Sequence, residues 1–329
     1  METGIDSDLD SVFKLSGDGR FTVTPEVLDS YKKYGYIIIR GLLTAEESSL
    51  VEEGWNVDPY LQPGKYPQAD DKGDLMELAV WDDASNDATG LVGRSENLAG
   101  AVEKLLGDEV YHYHSKFLCK PPQTGGSFIW HQDYGYWYHN SLHFPDDMCT
   151  AFLAVDDIRQ DNGCLKIIPG SHKCGRIEHL KYDDQIQADL ERVEYYKEKL
   201  GVQEVVLNKG DVLIFHSNIL HRSDKNDSDR RRLVLAIAYN TKRNNPTKPH
   251  HHPQYKEMPK VTNDALLEWG KNKLWDSTKV FYDPRISKKH MDNIKREASQ
   301  VALPTAQSFQ CVGECIVAIY PLYRLQFYL

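Results

Sequence analysis

Apolar positions along this chain change their spacing near residue 110. Before it they recur mostly at helical intervals, and after it short β-branched and aromatic runs alternate with turns. Thr24-Pro25 predicts a helix start, with Thr24 as N-cap and Pro25 in the first turn. Val27, Leu28 and Tyr31 form its apolar side and Gly35 ends it. Tyr36-Ile37-Ile38-Ile39 predicts a buried strand, and Thr44-Ala45-Glu46-Glu47 is a capping box opening a second helix to about Trp55. Residues 57–95, rich in Asp, Gly, Pro and Asn, predict long surface loops, and 96–106 a helix ended by Gly107.

Strands are then expected over 110–118, 127–134, 149–155, 164–168, 204–207, 212–215 and 233–239. Asn162-Gly163 predicts a hairpin turn and Gly210-Asp211 another turn. Residues 186–200 carry Leu190, Val193 and Leu200 among charges, an inserted amphipathic helix. Many short strands behind a few helices predict a mainly β jelly roll of two sheets. Residues 1–20 are expected to be a flexible leader, 21–245 one domain, and 246–329 an extension of that domain or packed on it.

Composition narrows the partners. A net charge of −10 disfavours nucleic acid, whose binding needs a basic face, and leaves a small-molecule substrate as the expected partner. Six dispersed cysteines without a C-x-x-C pair give no zinc motif. The acidic N-terminus has no apolar core for a secretory signal, and Phe327-Tyr328-Leu329 does not match the peroxisomal signal, so a cytoplasmic location is expected. Residues 316–329 are apolar but short, and Pro321 and Arg324 interrupt them; a packed tail is expected rather than a membrane span. Oligomeric state is not legible.

Candidate chemistry starts at Phe128-Ile129-Trp130-His131-Gln132-Asp133-Tyr134. Residues two apart in a strand project from one face, so His131 and Asp133 can reach a single point. An imidazole and a carboxylate there supply two members of the facial triad that holds non-haem Fe(II). His216 and His221 compete for the third place. Arg232 heads an apolar strand, where a cation needs a partner, and a dicarboxylate held by its guanidinium would serve.

Gly35-Tyr36…Arg40-Gly41, Trp130-His131-Gln132-Asp133, Asn162-Gly163…Pro169-Gly170-Ser171-His172, Gly210-Asp211 and His221-Arg222-Ser223…Arg232 stand in one order over residues 24–240. In these the chain resembles the phytanoyl-CoA dioxygenase family of Fe(II)/2-oxoglutarate oxygenases, which includes ectoine hydroxylases. The resemblance implies a double-stranded β-helix and iron on His131, Asp133 and His221, leaving His216 as a core or supporting histidine. It implies the distal carboxylate of 2-oxoglutarate on Arg232, with Ser223 beside it and Thr150 as a further cofactor-contacting hydroxyl. Hydroxylation of an aliphatic C–H by O2, with release of succinate and CO2, follows as the expected activity.

The aromatic string through Tyr134, Tyr136, Trp137 and Tyr138 is expected either to pack or to line the substrate pocket, with Trp137 where ectoine-type hydroxylases place a substrate-contacting tryptophan. Pocket-lining aromatics would suit a cationic or zwitterionic substrate. An acyl-CoA is the other candidate, with Arg230, Arg231, Lys242 and Arg243 as phosphate partners or simply a solvated basic face. His112 and His114 are expected in the core or pocket wall, and His250-His251-His252 in a flexible loop away from catalysis. A non-catalytic binding protein on the same fold, or a jelly-roll isomerase or hydrolase using another metal, are the competing classes.

Overall fold

In the computed structural model, which describes residues 11–182 and 185–281, the apolar runs become strands that face two ways. The strands are β1 (Val12–Lys14), β2 (Tyr36–Arg40), β3 (Tyr66–Ala69), β4 (Leu75–Trp81), β5 (Val110–Lys120), β6 (Phe128–His131) and β7 (Met148–Ala154). They continue with β8 (Leu165–Ile167), β9 (His179–Tyr182), β10 (Gln185–Ala188), β11 (Gln203–Val205), β12 (Val212–His216), β13 (His221–Ser223) and β14 (Arg232–Thr241). The α-helices are α1 (Pro25–Tyr34), α2 (Ala45–Val57), α3 (Ala88–Arg94), α4 (Ala99–Leu106), α5 (Asp133–Trp137), α6 (Leu190–Leu200) and α7 (Ala265–Gly270).

Among the described residues, one sheet of eight strands runs β1-β2-β12-β7-β14-β5-β4-β3, and one of four runs β11-β8-β13-β6. Side-chain alternation sorts the core between them. In β2, Ile37 and Ile39 pack with Val27, Tyr31, Val51 and Trp55 of α1 and α2. Tyr36 and Ile38 point the other way, into a cluster with Leu165 and Ile167 of β8 and Val205 of β11. Strand β14 repeats the division: Leu233, Leu235 and Ile237 face the helices, Val234 and Ala236 the small sheet. All ten β14 residues are buried, and residues 233–239 read as an unbroken apolar run rather than an alternation. At roughly 1.5–3 kcal/mol for each fully buried Leu, Ile or Val, this central strand anchors both layers. Helices on one face and the small sheet on the other make the double-stranded β-helix expected from the sequence.

The caps form as the sequence predicts. Thr24 Oγ1 accepts from Val27 N–H, Gly35 closes α1 at φ +80°, and Thr44 and Glu47 complete the capping box of α2.

Other expectations need correcting. Within the expected flexible leader, Val12–Lys14 pairs parallel with Ile38–Arg40, because the edge of β2 offers free backbone groups. Residues 57–95 are not all loop: Tyr66–Ala69 and Leu75–Trp81 form a hairpin and Ala88–Arg94 a helix, short elements hidden among turn residues. Residues 186–200 split into β10 and α6, with Asp189 accepting from Arg192 N–H as the new N-cap. Asn162-Gly163 is a tight turn, with Gly163 at φ +83°, but β7 before it and β8 after it lie in different sheets, so it joins layers rather than a hairpin. Strand β13 went unforeseen because three residues after a turn carry no periodicity. After residue 246, Leu266 of α7 enters the helix-side core.

Lys279, fully buried, sits between the buried carboxylates of Asp58 and Asp87. The apolar tail 316–329, Cys311, Cys315 and residues 1–10 lie outside the described residues. No described helix is long and apolar enough to cross a membrane.

Candidate metal centre

Strand β13 runs antiparallel to β6 with His221 opposite His131, so register alone puts the two imidazoles side by side. Asp133 joins them differently from the expectation of one continuous strand over 127–134. β6 stops at His131 and Asp133 opens the short helix α5, so the carboxylate arrives at a strand-to-helix corner. Gln132, between the ligands, points away and clamps that corner. Its amide donates to Gly175 O at 2.8 Å and Asn218 O at 2.9 Å and accepts from Ile177 N–H at 2.7 Å. Its own N–H donates to His179 Nε2 at 2.9 Å. The His179 ring fills the space where a Cβ on Gly135 would stand, which explains the glycine within an aromatic string.

His131 Nε2 and His221 Nε2 each lie 3.8 Å from Asp133 Oδ1, and the ring centroids are 4.1 Å apart. One ligand atom from each residue falls within 4.8 Å of the others, the one such group among the described residues. Nδ1–H of His131 donates to Ile129 O at 2.7 Å and Nδ1–H of His221 to Ile219 O at 2.9 Å, leaving both Nε2 lone pairs for a metal. Thr150 Oγ1 donates to Asp133 Oδ2 at 2.7 Å, so this hydroxyl orients the carboxylate from the pocket wall.

Burial, then the neighbouring His221, pushes His131 down to about 3, and burial also lowers His221. Burial alone would raise Asp133, but the neighbouring His221, the Lys116 charge, His131 and the Thr150 hydrogen bond outweigh it and hold its carboxyl low. Two neutral imidazoles and an ionised carboxylate on one side of a cavity are the donor set that suits Fe(II) with open positions.

The cavity measures about 410 Å³ and extends from the triad to Arg232. Arg232 is 1% exposed, yet its Nε and Nη1 have no hydrogen-bond partner. A guanidinium kept buried with unpaired donors is strained unless a ligand completes it. Burial lowers it to about 10, still charged at neutral pH. Ser223 stands in the same wall, and its Oγ accepts from Lys120 Nζ at 2.8 Å. Lys120, fully buried and opposite Arg232 in the β5–β14 register, also donates to Asp224 O. Burial first and the Arg232 charge second push it well below the usual lysine range. Nothing in the sequence singled out Lys120; its pairing with Arg232 appears only in the register. Asn226 clamps the turn before Arg232 by donating to Lys120 O, Pro121 O and Arg230 O.

His216 is not part of the group: its Nε2 pairs with Asp146 Oδ1 at 3.0 Å and its Nδ1 accepts from Asn218 N–H. Pro169–His172 forms a turn, and His172 packs against His216. Trp137 and Tyr134 do not line the cavity. Both belong to an aromatic cluster with Tyr111 and Tyr113, Trp137 edge-on to Tyr113 at 5.5 Å and the Tyr134 hydroxyl donating to Leu142 O. The helical turn after Asp133 swings them away from the metal side. His112 hydrogen-bonds Ser115 and Asp82 O.

The 250–252 loop is packed rather than free: His252 is buried, pairs with Asp82 Oδ1 at 2.9 Å and stacks on His114 at 4.7 Å. The basic residues are taken by carboxylates: Arg230 by Asp161, Arg231 by Glu52 and Asp156, Lys242 by Glu109, Arg243 by Asp147.

The family model for phytanoyl-CoA dioxygenase (PhyH) matches residues 31–234. L-proline trans-4-hydroxylase of Streptomyces griseoviridis is 33% identical over 167 residues, covering 46% of this chain and 62% of that enzyme, so the match spans less than two thirds of its length. Ectoine dioxygenase of Stutzerimonas stutzeri (strain A1501) is 26% identical over 249 residues, covering 70% of this chain and 82% of that one. Among solved structures, EctD from S. alaskensis with 2-oxoglutarate and 5-hydroxyectoine superposes with a TM-score of 0.59 at 18% identity, over 73% of this chain and 87% of that chain.

Proposed function

The chain belongs to the phytanoyl-CoA dioxygenase family, and on that premise we propose that it is an Fe(II)- and 2-oxoglutarate-dependent hydroxylase of a small aliphatic molecule. The observation that carries the reading is the orphaned Arg232 guanidinium in the same cavity as the His131, Asp133 and His221 group. A hydrolase, or an isomerase that takes no dicarboxylate cosubstrate, needs the metal but has no use for a buried cation awaiting a dicarboxylate.

His131, Asp133 and His221 would hold the metal, and Arg232, with Ser223, the far carboxylate of 2-oxoglutarate. Bound together with O2, iron and 2-oxoglutarate supply the oxidant that converts an aliphatic C–H to an alcohol, with succinate and CO2 released. The chain's own part is orientation and exclusion of water. Ile129 O and Ile219 O fix the ring tautomers, Thr150 fixes the carboxylate, and Lys120 fixes the Ser223 hydroxyl. Leu118, Phe128, Phe152, Leu165 and Phe215 wall the cavity with apolar surface.

A small polar or zwitterionic metabolite is favoured over an acyl-CoA, because the four basic residues nominated for CoA phosphates are each paired with carboxylates. The named activities of the proline and ectoine enzymes lean the same way. The test is a panel of small acids and acyl-CoAs, scored by substrate-dependent succinate release with Fe(II), 2-oxoglutarate and O2. Succinate formed by the native chain and lost in Asp133→Ala supports the reading. Full turnover by that variant, or turnover without O2, overturns it. Iron-loaded protein that binds no 2-oxoglutarate would return the chain to the non-catalytic class.

A further inference from the structure

Lys116 is a pocket-lining cation to which the chain gives no partner. It sits in the middle of β5, half-buried, with Leu118 two residues on in the same cavity wall. Among the described residues its Nζ makes no hydrogen bond or ion pair. Nearly every other basic group around the cavity is spoken for: Lys120 by Ser223 and Asp224, Lys166 by Glu204 and Asp224, Arg222 by Asp224. Arg232 is the exception, and it lies at the other end of the register. Lys116 stands opposite Ala236 and Arg232 opposite Lys120, four residues or about 13 Å apart along the strands. One short dicarboxylate bound between Arg232 and the metal leaves Lys116 unanswered.

The surroundings of Lys116 differ from those of Arg232. One alternation along β5 stands His114, across Ala238 from Thr150 in the sheet register. Its Nδ1 is buried with no hydrogen-bond partner. The ring lies flat against His252, interplanar angle 18°, and edge-on to Trp137 at 5.6 Å. His252 comes from beyond the residues that the family model matches, so the packing around His114 is completed by the chain's C-terminal segment. Burial, and after it the Lys116 charge, holds the His252 imidazole down to about 3, so the stacked rings are neutral. Lys116 is therefore a positive charge that makes no hydrogen bond, set near the ionised Asp133 carboxylate and beside neutral imidazoles, with the apolar walls of Phe128, Phe152 and Leu118 in the same cavity.

We propose that Lys116 is the substrate anchor of this site: it pairs with a carboxylate of the substrate, with His114 beside it as a hydrogen-bonding wall, and so selects small carboxylate-bearing aliphatic molecules such as amino acids. The inference rests on the oxygenase reading and deepens it. Lys116 and the His131, Asp133 and His221 group line one cavity, so a substrate held at Lys116 shares it with the metal. An ammonium on a flexible stem suits a single carboxylate, whereas the forked guanidinium at the far end suits bidentate capture. Lys116 would fix which end of the substrate is held, and hence which carbon faces the metal.

The experiment is anaerobic calorimetry on iron-loaded, 2-oxoglutarate-saturated full-length protein, where binding proceeds without turnover. The probes are short linear and cyclic amino acids and unsubstituted aliphatic acids, each beside its primary amide, at up to tens of millimolar. At least one carboxylate should bind about tenfold or more tightly than its amide, the discrimination expected of one charge-assisted contact. Lys116→Gln keeps the stem and breaks no hydrogen bond, and at saturating iron, which offsets any loss of metal affinity through Asp133, it should level acid and amide while leaving 2-oxoglutarate affinity unchanged. His114→Phe should weaken the acid in native Lys116 protein without removing the acid–amide difference.

Equal binding of acids and amides, no binding by any acid, or a Lys116→Gln variant that loses 2-oxoglutarate instead of substrate would each overturn the assignment. The last outcome would make Lys116 part of the cosubstrate site. Native protein that takes up iron but no 2-oxoglutarate fails at the earlier stage and removes the oxygenase reading itself, and this inference with it.

Discussion

Replacing Arg232 by Met should have opposite effects on the empty and the loaded protein. In the empty protein the guanidinium is 1% exposed with Nε and Nη1 unpaired. Each buried unsatisfied donor costs about 1–3 kcal/mol, and an apolar side chain of similar length relieves that cost. Metal-free, ligand-free Arg232→Met should therefore be no less stable than the native chain and is expected to gain about 1–3 kcal/mol in urea unfolding. In the loaded protein the same change removes two charge-assisted hydrogen bonds to a carboxylate. At about 1.5–3 kcal/mol each, the loss is about 3–6 kcal/mol, or two to four orders of magnitude in the Kd of 2-oxoglutarate. Anaerobic calorimetry with Fe(II) present reads that constant. Thermal unfolding at a concentration 100 times the native Kd should show about 2.7 kcal/mol of ligand stabilisation in native protein and at most about 0.4 kcal/mol in the variant. A variant several kcal/mol less stable when empty, with 2-oxoglutarate affinity intact, would mean that Arg232 is a structural cation and that the cosubstrate sits elsewhere.

Lys279→Met leaves the buried carboxylates of Asp58 and Asp87 without their counter-charge, and should cost about 3–5 kcal/mol in urea unfolding while iron and 2-oxoglutarate affinities persist. An unchanged urea midpoint would refute the ion triad. Gly135→Ala drives a methyl group into the His179 ring that receives the Gln132 N–H, so iron affinity should fall at least tenfold through displacement of the ligand corner. Native affinity in that variant would show that the corner is not held there. Burial pushes His112, His172 and His179 down to about 4 and His131 and His252 to about 3. The unfolded chain takes up these protons near pH 6.5 and the folded chain does not, so their contribution is fully present above about 6.5 and is lost as pH falls toward 3. Each histidine adds a slope of up to about 1.4 kcal/mol per pH unit. The urea midpoint of metal-free protein should fall steeply between pH 6.5 and 4, and a flat midpoint would contradict the buried neutral rings.

The residues the structure brings around the cavity were legible where chemistry is local to a motif. His131, Asp133, His221, Ser223, Thr150 and Arg232 all appear in the cavity wall. The reason offered for the first pair was partly wrong, since Asp133 reaches the site from a helical turn and not from the strand that carries His131. That same turn is why Trp137 and Tyr134 leave the pocket for the aromatic cluster. Lys120, Gln132 and His179 stayed invisible because their roles exist only through pairing across sheets and loops, between residues up to 104 positions apart. His252 stayed invisible too, because a proline-flanked histidine run reads as solvent-exposed until Asp82 and His114 are seen to receive it. The two-layer β core was legible from its apolar runs, while the 66–81 hairpin was masked by the Asp- and Gly-rich turn that joins it.

The central claim is that His131, Asp133 and His221 form one iron site which 2-oxoglutarate completes. Anaerobic titration of the metal-free protein with Fe(II), followed by 2-oxoglutarate, tests it directly. One equivalent of each should bind, 2-oxoglutarate only after iron, with His221→Ala losing both and His216→Ala keeping both. Retention of iron by His221→Ala together with its loss in His216→Ala, or 2-oxoglutarate uptake indifferent to the metal, would contradict it.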